Sequence, residues 1–343
     1  MNQEIGIYVH IPFCKQKCLY CDFISFEGII EKEEQYTEAL KKEIIENAKK
    51  IENDIVTTIY VGGGTPSYID SKYIIDILET IKKNYNIKKN AEITIEVNPG
   101  TATKEKLKDY KNVGINRLSI GLQSTNNKIL KEIGRIHTYE DFLETYQMAR
   151  RVGFKNINVD LMLALPNQDC KILVDSLQEI IKLSPEHISI YSLILEEGTR
   201  LQKLAEQGSI TLPKDEIERK MYWDTKKVLE KNGYIHYEIS NFAKSGYESR
   251  HNLNCWKQKP YLGFGLSAHS YYNKTRYSNV TNIKQYIDVE KGFVLTHNTK
   301  IIHEIQTKQD EQKEYMMLGL RKIEGVSISD FKNKFVRKSY FFI

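Results

Sequence analysis

Six short runs in the first two thirds of the chain alternate apolar with polar or small residues: IGIYVHI (5–11), TIYVGGG (58–64), EITIEVNP (92–99), RLSIGLQS (117–124), NINVDLML (156–163) and HISIYSLI (187–194). Helical stretches such as EKEEQYTEALKKEIIENAKKI (31–51) and SKYIIDILETIKKNY (71–85) lie between them. Strand, helix, strand at this spacing describes parallel βαβ units, because parallel neighbours need a long crossover. Such units build a partial or complete barrel, or an open doubly wound sheet. No sequence repeat accompanies the structural rhythm.

The alternation narrows the choice. Ile5, Ile7 and Val9 oppose Gly6, Tyr8 and His10, and Ile93, Ile95 and Val97 oppose Glu92, Thr94, Glu96 and Asn98. A strand buried on both faces reads as nearly continuous apolar sequence, and a closed barrel fills its interior with branched apolar side chains. Polar residues on one face of strand after strand predict a barrel whose interior is wide, wet or filled by a ligand. An antiparallel sheet with one face in water is the alternative, which the long crossovers disfavour. Beyond residue 200 the rhythm changes to a helix pair (214–232), a Gly- and Tyr-rich stretch (261–277) and a charged, helical remainder (281–343). A domain boundary is therefore expected between 210 and 235, with residues 1–230 forming the barrel and 231–343 a smaller α+β region.

Composition excludes several classes. The 50 basic and 45 acidic residues leave a net charge of +5, and no basic stripe interleaved with aromatics argues for nucleic acid. No apolar run is long enough to span a bilayer, and MNQEIGIYVHIPF lacks the pattern of a secretory signal, so a cytoplasmic protein is expected.

Three of the five cysteines, Cys14, Cys18 and Cys21, fall in HIPFCKQKCLYCDF (10–23) with the spacing C-x3-C-x2-C. Thiolates packed this densely select a soft metal or an iron–sulfur cluster. Structural zinc needs four ligands and would have to recruit Cys255 or a histidine, while Cys170 offers no second knuckle. A [4Fe–4S] cube normally takes four cysteines, so three leave one iron open. The cluster follows the first strand, in the loop where barrel enzymes keep their chemistry. In VGGGTPS (61–67) glycines allow close backbone approach to a ligand, although a plain turn reads the same way. Glu96 sits on the polar face and needs a cation or donors there, with a salt bridge to Arg117 as the plain alternative. Gln123, Arg135 and Asp160 lie at strand ends or in the loops that follow.

The cysteine spacing, with Tyr20 just before the last cysteine, resembles the radical S-adenosylmethionine (SAM) superfamily. The resemblance implies a partial (β/α)6 barrel of radical SAM type, a [4Fe–4S] cluster on Cys14, Cys18 and Cys21, SAM on the fourth iron, and an electron donor for the cluster. More narrowly, the chain is similar to the coproporphyrinogen III dehydrogenase family, which places Tyr8, Gly63, Glu96, Gln123, Arg135 and Asp160 at SAM; in the dehydrogenase Tyr20, Gly64 and Thr65 also line a second SAM site. Gly63, Gly64 and Thr65 would receive the SAM amino group. Two activities occur in that family: oxygen-independent coproporphyrinogen III dehydrogenation, and haem delivery by HemW-type chaperones to haem-dependent respiratory proteins.

Three features favour the chaperone branch. Only seven residues precede YVHIPFC, Phe23 stands where the dehydrogenase tends to have a cysteine, and RHNLNCW (250–256) is similar to the chaperone's H-N-x-x-Y-W motif. There His251 is the expected axial ligand of haem, and Cys255 replaces the usual Tyr. Read without the family, His251 is a hydrogen-bonded loop histidine and Trp256 core packing. Composition already argues against a nucleic acid partner, and respiratory delivery implies at most a peripheral membrane association, through the haem acceptor. The apolar ending VRKSYFFI reads as a shortened C-terminus.

Overall fold

The computed structural model describes residues 3–49, 51, 53–287 and 300–336; from Arg337 onward the apolar ending lies outside them. Six parallel strands run side by side: β1 (Glu4–Ile11), β2 (Ile55–Gly63), β3 (Asn86–Val97), β4 (Arg117–Gln123), β5 (Ile157–Leu163) and β6 (His187–Ser192). Each lies within a few residues of the expected run. The helices between them include α1 (Glu33–Ala48), α2 (Ser71–Asn84), α3 (Lys104–Asn112), α4 (Asn127–Glu132), α5 (Tyr139–Val152) and α6 (Cys170–Leu183).

Local signals set their ends. Asp70 caps α2 by accepting the Lys72 N–H, Thr138 and Asp141 form a reciprocal capping box on α5, and Gly153 closes α5 in the left-handed conformation. The apolar phase of the strands meets the apolar stripes of the helices. Ile5, Ile7, Ile59, Ile95, Leu118 and Val159 share one fully buried cluster with Leu40, Ile77, Leu107, Phe142 and Leu177. The polar phase faces inward, as the alternation predicts, and is also buried: Thr58, Thr94, Arg117, Ser119, Asn158 and His187 are all under 4% exposed.

The sheet does not close, so the barrel is partial. Its open edges are extended by strands from the C-terminal region. The short β7 (Ile235–Glu238) and β8 (Asn241–Ala243) continue beyond β6, where β8 runs antiparallel to it. On the other side β9 (Tyr261–Phe264) pairs in parallel with β1, followed by β10 (His269–Tyr272), β11 (Thr275–Asn279) and β12 (Lys300–Ile305). One twelve-stranded sheet therefore crosses the expected boundary at residue 230.

Two readings of the C-terminal region need correction. The helix pair at 214–232 is a single helix, α8 (Asp215–Lys231), preceded by α7 (Arg200–Glu206). The helical remainder contains β12, whose KIIHEI is a strand paired with β11. The motif RHNLNCW forms a short helix, α9 (Arg250–Trp256), capped by Ser249. Among the described residues no helix is long and apolar enough to cross a membrane.

Candidate functional site

A cavity of about 460 Å³ opens at the C-terminal ends of the parallel strands. That is where loops are free to carry chemistry while the strands stay rigid. Cys14, Cys18, Tyr20, Cys21, Gly63, Gly64, Thr65, Glu96, Gln123, Arg135 and Asp160 all line it. Two expected residues do not. Tyr8 stacks on the ring of Tyr60, which does line it, and His251 packs against the same ring.

The cysteine loop is tied at several points. Phe13–Cys14 pairs with Phe26–Glu27, the Leu19 N–H donates to the Ile133 carbonyl at 3.0 Å, and Lys17 Nζ donates to the Phe23 carbonyl at 2.7 Å. His10 is the central anchor. Its Nε2 lies 2.8 Å from the Ile24 carbonyl and must donate to it, so Nδ1 accepts from the Tyr8 hydroxyl at 3.0 Å. Burial lowers the His10 pKa to about 4, which keeps the ring neutral. Tyr8 thus orients the histidine that holds the loop.

Each glycine after β2 has its own reason. A Cβ at Gly62 would lie 2.9 Å from the Glu96 carboxylate, and one at Gly64 would lie 3.0 Å from Cys14 Sγ. Gly63 has φ +113°, and its Cβ would meet the His10 ring at 2.6 Å. The run is therefore a surface against which loop and carboxylate are pressed.

Charged groups complete the walls. Glu96 accepts from the Tyr60 hydroxyl at 2.8 Å and from the Gly63 N–H at 3.1 Å. Burial, helped by the nearby Asp160, still raises its pKa to about 7. No salt bridge joins it to Arg117, so the plain alternative from the sequence is not what the fold builds. Arg135 is no surface charge: it donates to the Asn98 side chain at 3.2 Å and to the Gly121 carbonyl at 3.1 Å, and approaches Cys18 Sγ at 3.6 Å. Its Nε is buried without a partner among the described residues. Gln123 closes β4 with φ +72°.

Burial pushes the Cys21 thiol up to about 11 and raises Cys14 as well. Thiols in this state lose their protons only to a strong cation such as a metal. Among the described residues no three His, Cys, Asp or Glu side chains converge as ligands of one metal ion would. Cys255 is half-buried beside Tyr261 and Arg276 and does not line the cavity.

His251 is 8% exposed, with Nδ1 2.9 Å from Thr58 Oγ1 and its ring against Tyr60 at 5.2 Å between centroids. The Arg250 and His251 N–H groups donate to Glu92, 3.1 and 3.0 Å away, which seats α9 across the N-terminal ends of the strands. Sequence reasoning missed Tyr60, Asn98, Ser119 and Tyr191 as cavity residues. Asn98 stood on the polar phase already noted, and Tyr60, Ser119 and Tyr191 alternate in the same way with Ile59, Ile120 and Ile190, so their direction was legible and their reach was not.

The described geometry agrees with what the chain is similar to. Residues 8–180 match the family model for the Radical SAM superfamily. The heme chaperone HemW of Bacillus subtilis (strain 168) is 40% identical over 333 residues, covering 96% of this chain and 86% of that one. The heme chaperone HemW of Lactococcus lactis (strain IL1403) is 35% identical, covering 98% and 86%. Among solved structures, the coproporphyrinogen III oxidase HemN of Escherichia coli, a radical SAM enzyme, superposes with a TM-score of 0.84 at 24% identity, over 97% of this chain and 79% of that one.

Proposed function

The chain belongs to the radical SAM superfamily and, within it, to the HemW haem chaperone family, and from that premise we propose that it binds haem and delivers it to haem-dependent proteins. A [4Fe–4S] cluster would be held by Cys14, Cys18 and Cys21, with SAM on the remaining iron. When bound, the pair supplies one-electron chemistry at the SAM sulfonium.

The residues fit that pair. Arg135 keeps a buried N–H unpaired beside the cysteine loop, and an unpaired donor there costs about 1–3 kcal/mol until an acceptor such as a carboxylate arrives. Glu96, raised to about 7, is a carboxyl waiting for a cation, and SAM carries both an ammonium and a sulfonium. Gly63 and Gly64 leave the backbone open beside it. This combination of three thiols, an unsatisfied Arg135 and a proton-retaining Glu96 around one cavity is the observation that carries the cofactor reading. The family membership carries the haem reading.

Haem ligation by His251 belongs to the same proposal with a structural condition. Its ring is packed inside the barrel, so ligation requires α9 to move away from Glu92. The haem acceptor is a protein partner, and an external donor would reduce the cluster.

The test uses protein whose cluster has been reconstituted anaerobically and verified by iron content. Haem titrated into it should give a saturable Soret band, shifted in His251→Ala, and Cys14→Ala should lose cluster iron. Coproporphyrinogen III supplied with SAM and reductant should stay unconverted by mass spectrometry. Failure to bind haem, or loss of two carboxylates from that substrate, would overturn the chaperone reading in favour of a dehydrogenase.

A further inference from the structure

Beneath the cavity runs a row of buried polar side chains, most of which do not line it. Asp160 stands at its upper end and lines the cavity. Its Oδ2 accepts from the Ser119 hydroxyl at 2.9 Å, and its Oδ1 accepts from Asn158 Nδ2 at 2.8 Å. A carboxylate can only accept, so it dictates which end of the Asn158 amide faces it. The Asn158 oxygen is thereby turned away, to accept from the Ser189 hydroxyl at 3.1 Å and from His187 Nδ1 at 2.6 Å.

That bond fixes the histidine. Nδ1 carries the proton, and Nε2 accepts from the Tyr237 hydroxyl at 2.7 Å. The Tyr237 oxygen in turn accepts the Ser249 N–H at 3.2 Å, at the cap of α9. From α9 to Asp160 the hydrogen bonds run in one direction, with no step free to choose another tautomer. Burial and the nearby Arg117 hold the His187 pKa well below its usual value, so the ring stays neutral across physiological pH.

A competitor makes the relay necessary. Arg117 is 2% exposed, its Nε has no partner among the described residues, and its charge acts on Asp160. A guanidinium left so strongly desolvated attracts any carboxylate free to turn. Asn158 and Ser119 occupy both oxygens of Asp160 and prevent that collapse.

We propose that Asn158 and His187 are positioning residues of the cofactor site, holding the Asp160 carboxylate towards the cavity and away from Arg117. This rests on the reading that the cavity takes SAM. The consequence is that SAM affinity depends on two side chains that never touch it.

The experiment measures SAM binding by anaerobic calorimetry on protein with a reconstituted cluster, together with the electron paramagnetic resonance change of the reduced cluster on adding SAM. His187→Leu and Asn158→Ala should bind SAM roughly ten- to a hundredfold more weakly, the loss typical of removing an outer hydrogen-bonding partner, with unchanged iron content. His187→Gln should recover most of the affinity, because its amide can donate to Asn158 and accept from Tyr237. If His187→Leu fails to retain the cluster, Asn158→Ser decides, since serine is too short to join Asp160 to His187. Wild-type affinity in His187→Leu or Asn158→Ser overturns the inference alone. Wild-type protein that holds its cluster but binds no SAM overturns the cofactor reading and the inference with it.

Discussion

Gly63 and Glu96 show how one strand end serves loop and cavity together. Gly63 combines a left-handed φ of +113° with a Cβ direction blocked by the His10 ring, and that ring anchors the cysteine loop through Ile24. Gly63→Ala should therefore cost about 1–3 kcal/mol in stability by urea titration and lower the iron retained per chain. A neutral outcome on both counts would mean the loop does not depend on that contact. Glu96 gives a pH signature in protein free of SAM. Its folded pKa of about 7 lies above the ordinary 4.5, so its contribution to stability is fully present below about 4.5 and is lost as pH rises through 7. The loss is on the order of 3 kcal/mol, set chiefly by burial, opposed by the Tyr60 hydrogen bond and increased by the nearby Asp160. In Glu96→Gln this part of the pH dependence should vanish from melts taken between pH 5 and 8. The cysteine spacing and the glycine run were legible in the sequence because chemistry demands them at fixed intervals. The bond from Tyr8 to His10 was not legible, since a short motif does not show which neighbour a phenol meets.

At the scale of elements, period two and period 3.6 located the six parallel strands and the helices packed on them, because both are imposed by burial of one face. The same rule failed after residue 260. TRYSN and KIIHEI pair as β11 and β12 with little of β12 buried, so no alternation marks them. A second hidden feature is Glu43, which stands fully buried in α1 where the helical pattern shows only another charged residue. It accepts from the Gly265 N–H at 2.9 Å, the Tyr286 hydroxyl at 2.7 Å and Asn279 Nδ2 at 2.7 Å. Three long-range donors thus lock α1 to the β9–β10 connection, the end of β11 and the helix Ile283–Ile287. Glu43→Ala should leave those donors unpaired and destabilise the protein by about 3 kcal/mol in denaturant titration. Glu43→Gln should cost less, since its oxygen can still accept.

For the molecule as a whole, the question is whether the chemistry and the folding unit share a boundary. The cysteine loop and every cavity residue fall before residue 230, yet the sheet that positions them does not end there. β9 supplies the parallel partner of Gly6–Val9 in β1, and β8 pairs with His187–Ser189 in β6. Without those strands, both edges of the partial barrel would expose unpaired backbone donors and acceptors beside apolar side chains. The floor would open too, because α9 meets Glu92, Thr58 and the Tyr237–His187 pair. Barrel and C-terminal region should therefore unfold together. Calorimetry on the full chain should give a single transition, with equal calorimetric and van't Hoff enthalpies. Two resolved transitions, the first leaving the cluster's absorption intact, would show instead that residues 1–230 stand alone and that the later strands only lean against them.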